Sequence, residues 1–129
     1  MARILLCDDD DAVRAFVKRA LELDGHAVTT AVDGAEGLDA LTAQDGAFDL
    51  LLTDIRMPMM DGIALALATA RDFPGLTILL MTGYADQRER AADLQALIHD
   101  VVTKPFSLDQ IRAAVADALA AATGKRLRA

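Results

Sequence analysis

A chain of 129 residues, 53% of them hydrophobic, fits one domain with a substantial core. Its formal net charge of −7 argues against sequence-independent nucleic-acid binding, which rests on Lys and Arg neutralising phosphates. No apolar run reaches the roughly 20 residues of a membrane helix, the acids beginning at Asp8 argue against a signal peptide, and the single cysteine cannot form an internal disulfide, so a reducing cytoplasm is expected.

Arg3–Cys7 is a short apolar run that ends against acids and reads as a buried strand. From Asp11 to Asp24, Val13, Phe16, Val17, Ala20 and Leu21 recur at helical spacing, and Gly25 stands where a helix C-cap glycine belongs. His26–Ala31 (HAVTTA) is β-branched enough for a second strand. Asp33-Gly34 makes a turn, and Ala35–Thr42 a short helix with Leu38 and Leu41 inward. Phe48–Thr53 (FDLLLT) is a third strand. Asp61-Gly62 opens a helix to about Asp72, which Phe73-Pro74-Gly75 stops because proline disfavours helix in the residue before it. Thr77–Thr82 (TILLMT) is a fourth strand, Asp86–Leu97 a charged helix and Asp100–Thr103 (DVVT) a short fifth strand. Ser107 caps a last helix with the stripe Leu108, Ile111, Val115 and Leu119, fraying near Thr123-Gly124 into the basic tail KRLRA. The expected division is one domain over 1–122 and a short tail over 123–129.

Strands alternating with helices give an α/β fold whose parallel sheet is covered on both faces. Right-handed crossovers make it an open, doubly wound (βα)5 sheet. No linker, repeat or low-complexity segment interrupts it, and no effector domain is expected after the last helix. In such sheets ligands sit beyond the carboxyl ends of the strands. Those ends carry Asp8 and Asp9, then Asp54, Thr82 and Lys104-Pro105. On one rim they would gather three carboxylates, a hydroxyl and an ammonium. Three carboxylates alone repel, which pushes at least one toward its neutral form. A divalent cation relieves this, and oxygen-only ligands select Mg²⁺, Mn²⁺ or Ca²⁺ over zinc. Lysine and threonine are superfluous for a structural metal. They make sense if one carboxylate carries a phosphoryl group held by the metal, Lys104 and Thr82. Phosphoryl transfer asks little beyond such positioning and charge neutralisation.

These residues resemble the receiver domains of two-component response regulators, over about residues 2–122. The acidic pair Asp8-Asp9 follows the first strand. The third runs into LLLTDIRMPMMDG, close to the family's D-x-x-M-P-x-M-D-G, the fourth gives MTGYA and the fifth TKPF. The resemblance implies a flavodoxin-like five-stranded sheet in the order 2-1-3-4-5. It implies Asp54 as phosphoacceptor, Asp9 as a direct Mg²⁺ ligand and Asp8 as a helper through water. It also implies a metal contact from the backbone carbonyl of Arg56, phosphoryl contacts from Thr82 and Lys104, and a cis Lys104–Pro105 bond. The phosphoryl group would come from a histidine kinase or a histidine phosphotransfer protein. The sequence departs from the family pattern at Val101, where many receivers carry Tyr or Phe as part of a Thr–aromatic switch. The usual Gly-Ala before the fifth strand is replaced by Ala96-Leu97-Ile98-His99. Tyr84 is expected beside the site, and Arg56 at a position that tunes attack by water.

Other residues carry ordinary structural readings. Asp10 and Asp11 suit a helix cap and first-turn charge. Cys7 suits a buried small hydrophobe. His26 and His99 have no catalytic partners in view, and Met57, Met59 and Met60 suit packing, with Met59 exposed near the site. KRLRA reads as a solvated tail, with a docking segment as the alternative.

The function implied is a cytoplasmic single-domain response regulator, a phosphoacceptor and not an enzyme, assisting only its own phosphorylation and dephosphorylation. Phosphorylation would change the face made by the fourth helix, fifth strand and last helix, read by another protein. MARILL, LLTDIRMPMMDGI and MTGYA look similar to CpdR-like single-domain receivers, which control substrate delivery to a ClpXP protease, so a protease or its adaptor system is a candidate target. MTGYA also looks like receivers of hybrid histidine kinases, which leaves a relay or phosphate-sink domain open. A monomer or a weak phosphorylation-dependent dimer is expected, without nucleic acid or membrane partners. Two other classes fit less well. A phosphatase of the haloacid dehalogenase type needs a second acid two residues after its nucleophile, where this chain has Arg56. A flavodoxin-like cofactor binder needs a Ser/Thr/Gly-rich phosphate loop after the first strand, where this chain has acids.

Overall fold

The computed structural model describes residues 1–83 and 90–128, with side chains as far as Ala122. The chain runs β1 (Arg3–Cys7), α1 (Asp11–Leu23), β2 (Ala27–Ala31), α2 (Gly34–Ala43), β3 (Leu50–Asp54), α3 (Gly62–Asp72), β4 (Thr77–Thr82), β5 (Asp100–Thr103) and a C-terminal helix (Leu108–Arg128). The strands form one sheet in the order β2-β1-β3-β4-β5, every neighbouring pair parallel. The doubly wound architecture expected from the sequence is the one observed.

Alternation along each strand divides the core. Ile4 and Leu6 of β1 face the same side as Leu50, Leu52, Leu79 and Met81, against Val17 and Leu21 of α1 and Ile111 and Val115 of the C-terminal helix. Leu5 and Cys7 point the other way, with Leu51, Ile78 and Leu80, against Leu41 of α2 and Leu65 of α3. Central strands with helices on both faces cannot alternate in polarity, which is why β3 is buried at every residue. The edge strands β2 and β5 are partly exposed and carry Thr and Asp.

The helices begin where short polar side chains cap them. Asp10 accepts the Ala12 and Val13 N–H groups at 2.9 and 3.1 Å. Asp33 accepts Glu36 N–H and Asp61 accepts Ala64 N–H, each at 2.8 Å. Ser107 Oγ accepts Gln110 N–H at 3.1 Å while Gln110 Oε1 accepts Ser107 N–H at 2.7 Å, a reciprocal capping box. Each such cap contributes about 1 kcal/mol. Gly25 follows the Asp24 C-cap at φ +86°, the left-handed conformation a side chain resists.

Several boundaries differ from the sequence reading. The third strand is shifted to Leu50–Asp54, because Asp49 turns to Arg3, accepting Arg3 N–H at 2.8 Å and donating its own N–H to Arg3 O at 2.7 Å. Phe48 stays buried, with the Arg3 guanidinium 5.3 Å above its ring. Of the helix expected over Asp86–Leu97, residues 86–89 lie outside the described part. Residues 90–92 are helical, and 93–97 are turns closed by bonds such as Leu97 N–H to Leu94 O at 2.7 Å. This tight turning buries Leu94 and Ile98 and leaves Leu97 exposed. The C-terminal helix continues to Arg128, past the expected fraying point, since one glycine costs only about 1 kcal/mol in an alanine-rich helix. Phe16, expected inward, lies 40% exposed at the rim of the α1 stripe. Among the described residues, no helix is long and apolar enough to cross a membrane.

Candidate functional site

The strand register brings the acids together. Cys7 lies beside Thr53 across the β1–β3 pair, so the next residue of each chain segment, Asp8 and Asp54, is carried to the same rim. Asp8 is completely buried, Asp54 is 7% exposed, and Asp9 is open to solvent. Asp8, Asp9 and Asp54 each offer a carboxylate oxygen within 4.8 Å of the others.

Lys104 follows β5, two strands away from β3 and hence about 10 Å across the sheet. Its long stem and the side chains of the two acids reaching toward it together close that gap. The ammonium donates to Asp8 Oδ2 at 3.0 Å and pairs with Asp54 Oδ2 at 3.3 Å. Its backbone N–H donates to Thr82 O at 2.7 Å, which ties the end of β5 to the end of β4. Thr82 itself closes β4 and is buried. The Lys104–Pro105 peptide is cis, as the resemblance implies. Asp54 Oδ1 accepts Ile55 N–H at 3.0 Å, and Asp8 Oδ1 accepts Asp10 N–H at 2.9 Å.

Burial pushes the Asp54 carboxyl up to about 6, helped by the Asp8 charge and opposed by Lys104 and the Ile55 N–H. Burial alone would lower the Lys104 ammonium, but the Asp54 and Asp8 carboxylates hold it above the usual lysine value. A cluster of oxygen donors in which one carboxylate already resists ionisation fits a hard divalent cation.

Arg56 is exposed two residues beyond Asp54, and Met59 stands 87% exposed in the same loop at φ +68°. Met57 is buried and Met60 is packed against the core. Tyr84 lies outside the described residues. Val101 is half-buried against the core rather than at the acid rim. Cys7 is fully buried, with its thiol pushed up to about 12 by that burial, so it is packing and not a nucleophile. His26 accepts Ala2 N–H at 3.1 Å and His99 pairs with Asp117 at 2.9 Å, both away from the acids.

Two residues shape this rim beyond what the sequence suggests: Gly62, which reads there only as a helix start and the end of a motif, and Arg14, which does not stand out. Gly62 lies so close to β3 that an added Cβ would sit 2.0 Å from Asp54 O. Arg14 donates to Asp8 O at 2.7 Å. The glycine could have been found as the close-approach residue after an acidic cap. Arg14 sits three residues after Asp11 on the first turns of α1, a spacing that pairs charges on one helix face.

The model of the response regulator receiver domain matches residues 4–116. The chain belongs to the response regulator receiver domain family. This receiver domain is 37% identical over 111 residues to the response regulator MprA of Mycobacterium avium, covering 86% of the chain and 48% of MprA. It therefore spans about half the length of that relative. The receiver domain protein (CheY-like) of Methanospirillum hungatei superposes with a TM-score of 0.87 at 29% identity, covering 97% of this chain and 98% of that one. TrrA of Thermotoga maritima, solved in complex with Mg(2+)-BeF, gives a TM-score of 0.80 at 29% identity over 91% of this receiver domain and 98% of TrrA.

Proposed function

We propose that this receiver domain is a Mg²⁺-dependent switch that accepts a phosphoryl group on Asp54 from a phosphohistidine of a histidine kinase or phosphotransfer protein. The observation that carries this reading is the convergence of Asp8, Asp9 and Asp54 within 4.8 Å, with one lysine bridging two of them. TrrA, similar in fold, was solved with Mg²⁺ and a beryllofluoride, which supports the same cation here.

Asp9, Asp54 and the Arg56 backbone carbonyl would hold the cation, with Asp8 acting through water. When bound, the cation neutralises the carboxylate cluster and the charge on the transferring phosphoryl oxygens. With a carboxyl near 6, Asp54 is mostly ionised at neutral pH and presents Oδ2 as nucleophile. Its oxygen forms the O–P bond as the donor's N–P bond breaks, and the electron pair leaves on the imidazole nitrogen, which takes a proton from solvent. Lys104, 3.3 Å from Oδ2, then exchanges one carboxylate contact for a phosphoryl oxygen, and the Thr82 hydroxyl holds another. Chemistry that stops at the acyl phosphate makes the domain a signalling device and not a turnover enzyme.

The readout would be a change in the face formed by residues 90–98, β5 and the C-terminal helix, taken up by a protein target. A protease adaptor role of the CpdR type is the finer proposal. The domain would act without nucleic-acid or membrane contact, as a monomer or a weak dimer on phosphorylation, in a cytoplasmic setting that suits the free Cys7. Wild-type protein with Mg²⁺ and acetyl phosphate should take up one phosphoryl group by intact mass, and Asp54→Asn none. Full labelling of the variant would remove Asp54 from its proposed role.

A further inference from the structure

We propose that Arg14 is a positioning residue for the metal-binding loop, setting Mg²⁺ affinity by geometry although its charge opposes the cation. This inference rests on the proposed Mg²⁺ site.

Asp8 sits between elements, after β1 ends at Cys7 and before α1 begins at Asp11. Its backbone has a ladder partner on one side only, Asp8 N–H donating to Ala31 O at 3.1 Å. Among the described residues no backbone N–H reaches the carbonyl of this fully buried residue, and a buried carbonyl left unpaired is destabilising. Arg14 supplies the donor, at 2.7 Å. The same guanidinium pairs with the Asp11 carboxylate, so one planar group spans the loop from strand end to first helical turn. The Arg14 side chain is only 17% exposed. With Asp10 N–H and Lys104 on the two carboxylate oxygens, the Asp8 side chain and backbone are both held.

The sign of the effect separates this role from simple electrostatics. Arg14 is a cation beside a cluster of acids, and removing it should tighten binding of another cation if only charge matters. Arg14 bonds the Asp8 carbonyl and the Asp11 carboxylate, not the carboxylates of Asp8, Asp9 or Asp54. Loss of the clamp should instead free Asp8 and Asp9 from their shared rim, and outer partners of metal ligands typically change affinity by about tenfold or more.

The test is Mg²⁺ titration followed by calorimetry at fixed ionic strength on wild type, Arg14→Gln and Arg14→Lys, with thermal midpoints recorded in parallel. The expected result is about tenfold weaker Mg²⁺ binding for Arg14→Gln, with Arg14→Lys between the two, since lysine keeps the charge but makes a single contact. Equal or tighter binding by Arg14→Gln overturns the inference while leaving the Mg²⁺ site intact. If Arg14→Gln does not fold, Arg14→Lys decides: weaker binding supports the clamp and wild-type affinity overturns it. Wild-type protein that binds no Mg²⁺ overturns the metal site itself, and the clamp with it.

Discussion

Asp54 is held in a strained electrostatic position before any ligand arrives. Its carboxyl stands near 6 in the folded protein, against about 3.9 for a free aspartate, so the fold binds its proton more tightly than the unfolded chain does. The resulting stability is fully present below about pH 4 and is lost as pH rises through about 6, amounting to about 2–3 kcal/mol. Asp54→Asn, neutral at every pH, should therefore exceed wild type in stability by about 2 kcal/mol at pH 7.5 in EDTA. The gain should vanish near pH 4. Urea unfolding at the two pH values checks this, and a pH-independent difference would show that charge is not its origin. The same logic explains why a lysine 96 residues beyond Asp8 is recruited to the pair of acids.

At the scale of elements, the loop from β3 to α3 is a tight hairpin of backbone around the site. Gly62 N–H donates to Ile55 O at 2.7 Å, and the missing Cβ lets α3 start directly against Asp54. Gly62→Ala must push the Asp54 carbonyl aside, which should cost about 1–3 kcal/mol and weaken phosphoryl uptake. Gly75→Ala has nothing within 4 Å of the added carbon and should leave the thermal midpoint unchanged or slightly raised. Asp61, which caps α3, also pairs with Arg90 at 3.0 Å, joining this loop to the helical residues 90–92. The caps at Asp10, Asp61 and Ser107 were legible from sequence because an Asp or Ser with its acceptor bonds acts within three residues, whereas Asp33 reads there only as a turn and is in fact the cap of α2. The turn over 93–97 was not, because charged residues at helical spacing do not reveal that Leu94 and Ile98 are both drawn into one core.

For the whole molecule, the rim ties together segments that fold from opposite ends of the chain. A cation bound there by native protein alone stabilises every element at once. At a Mg²⁺ concentration about 100 times Kd, stabilisation should be about 2.7 kcal/mol, which raises the thermal midpoint by about 10 °C. Asp9→Asn should lose most of that rise and Asp10→Asn should keep it, because Asp9 belongs to the cluster while the Asp10 side chain caps α1, a role asparagine also fills. Equal losses in both would count against the proposed ligand set. Arg112 and Asp24, 88 residues apart, make a second long-range link at 3.0 Å, fastening the C-terminal helix to the end of α1.

By itself the sequence determined the alternation of strand and helix, the caps, and the placement of acids, threonine and lysine at strand ends. Those features depend on period and on neighbours a few residues away. It also separated the four aspartates: Asp8 and Asp9 at the strand end, Asp10 and Asp11 on the helix. Only the tertiary structure decided that Lys104 bridges Asp8 and Asp54, that Gly62 abuts the Asp54 carbonyl, and that Arg14 holds the Asp8 carbonyl. Those contacts require the strand order and the register of Cys7 beside Thr53. An apolar run specifies that a strand is buried but not which strand it lies beside, so contacts across the sheet exist only once both faces have packed.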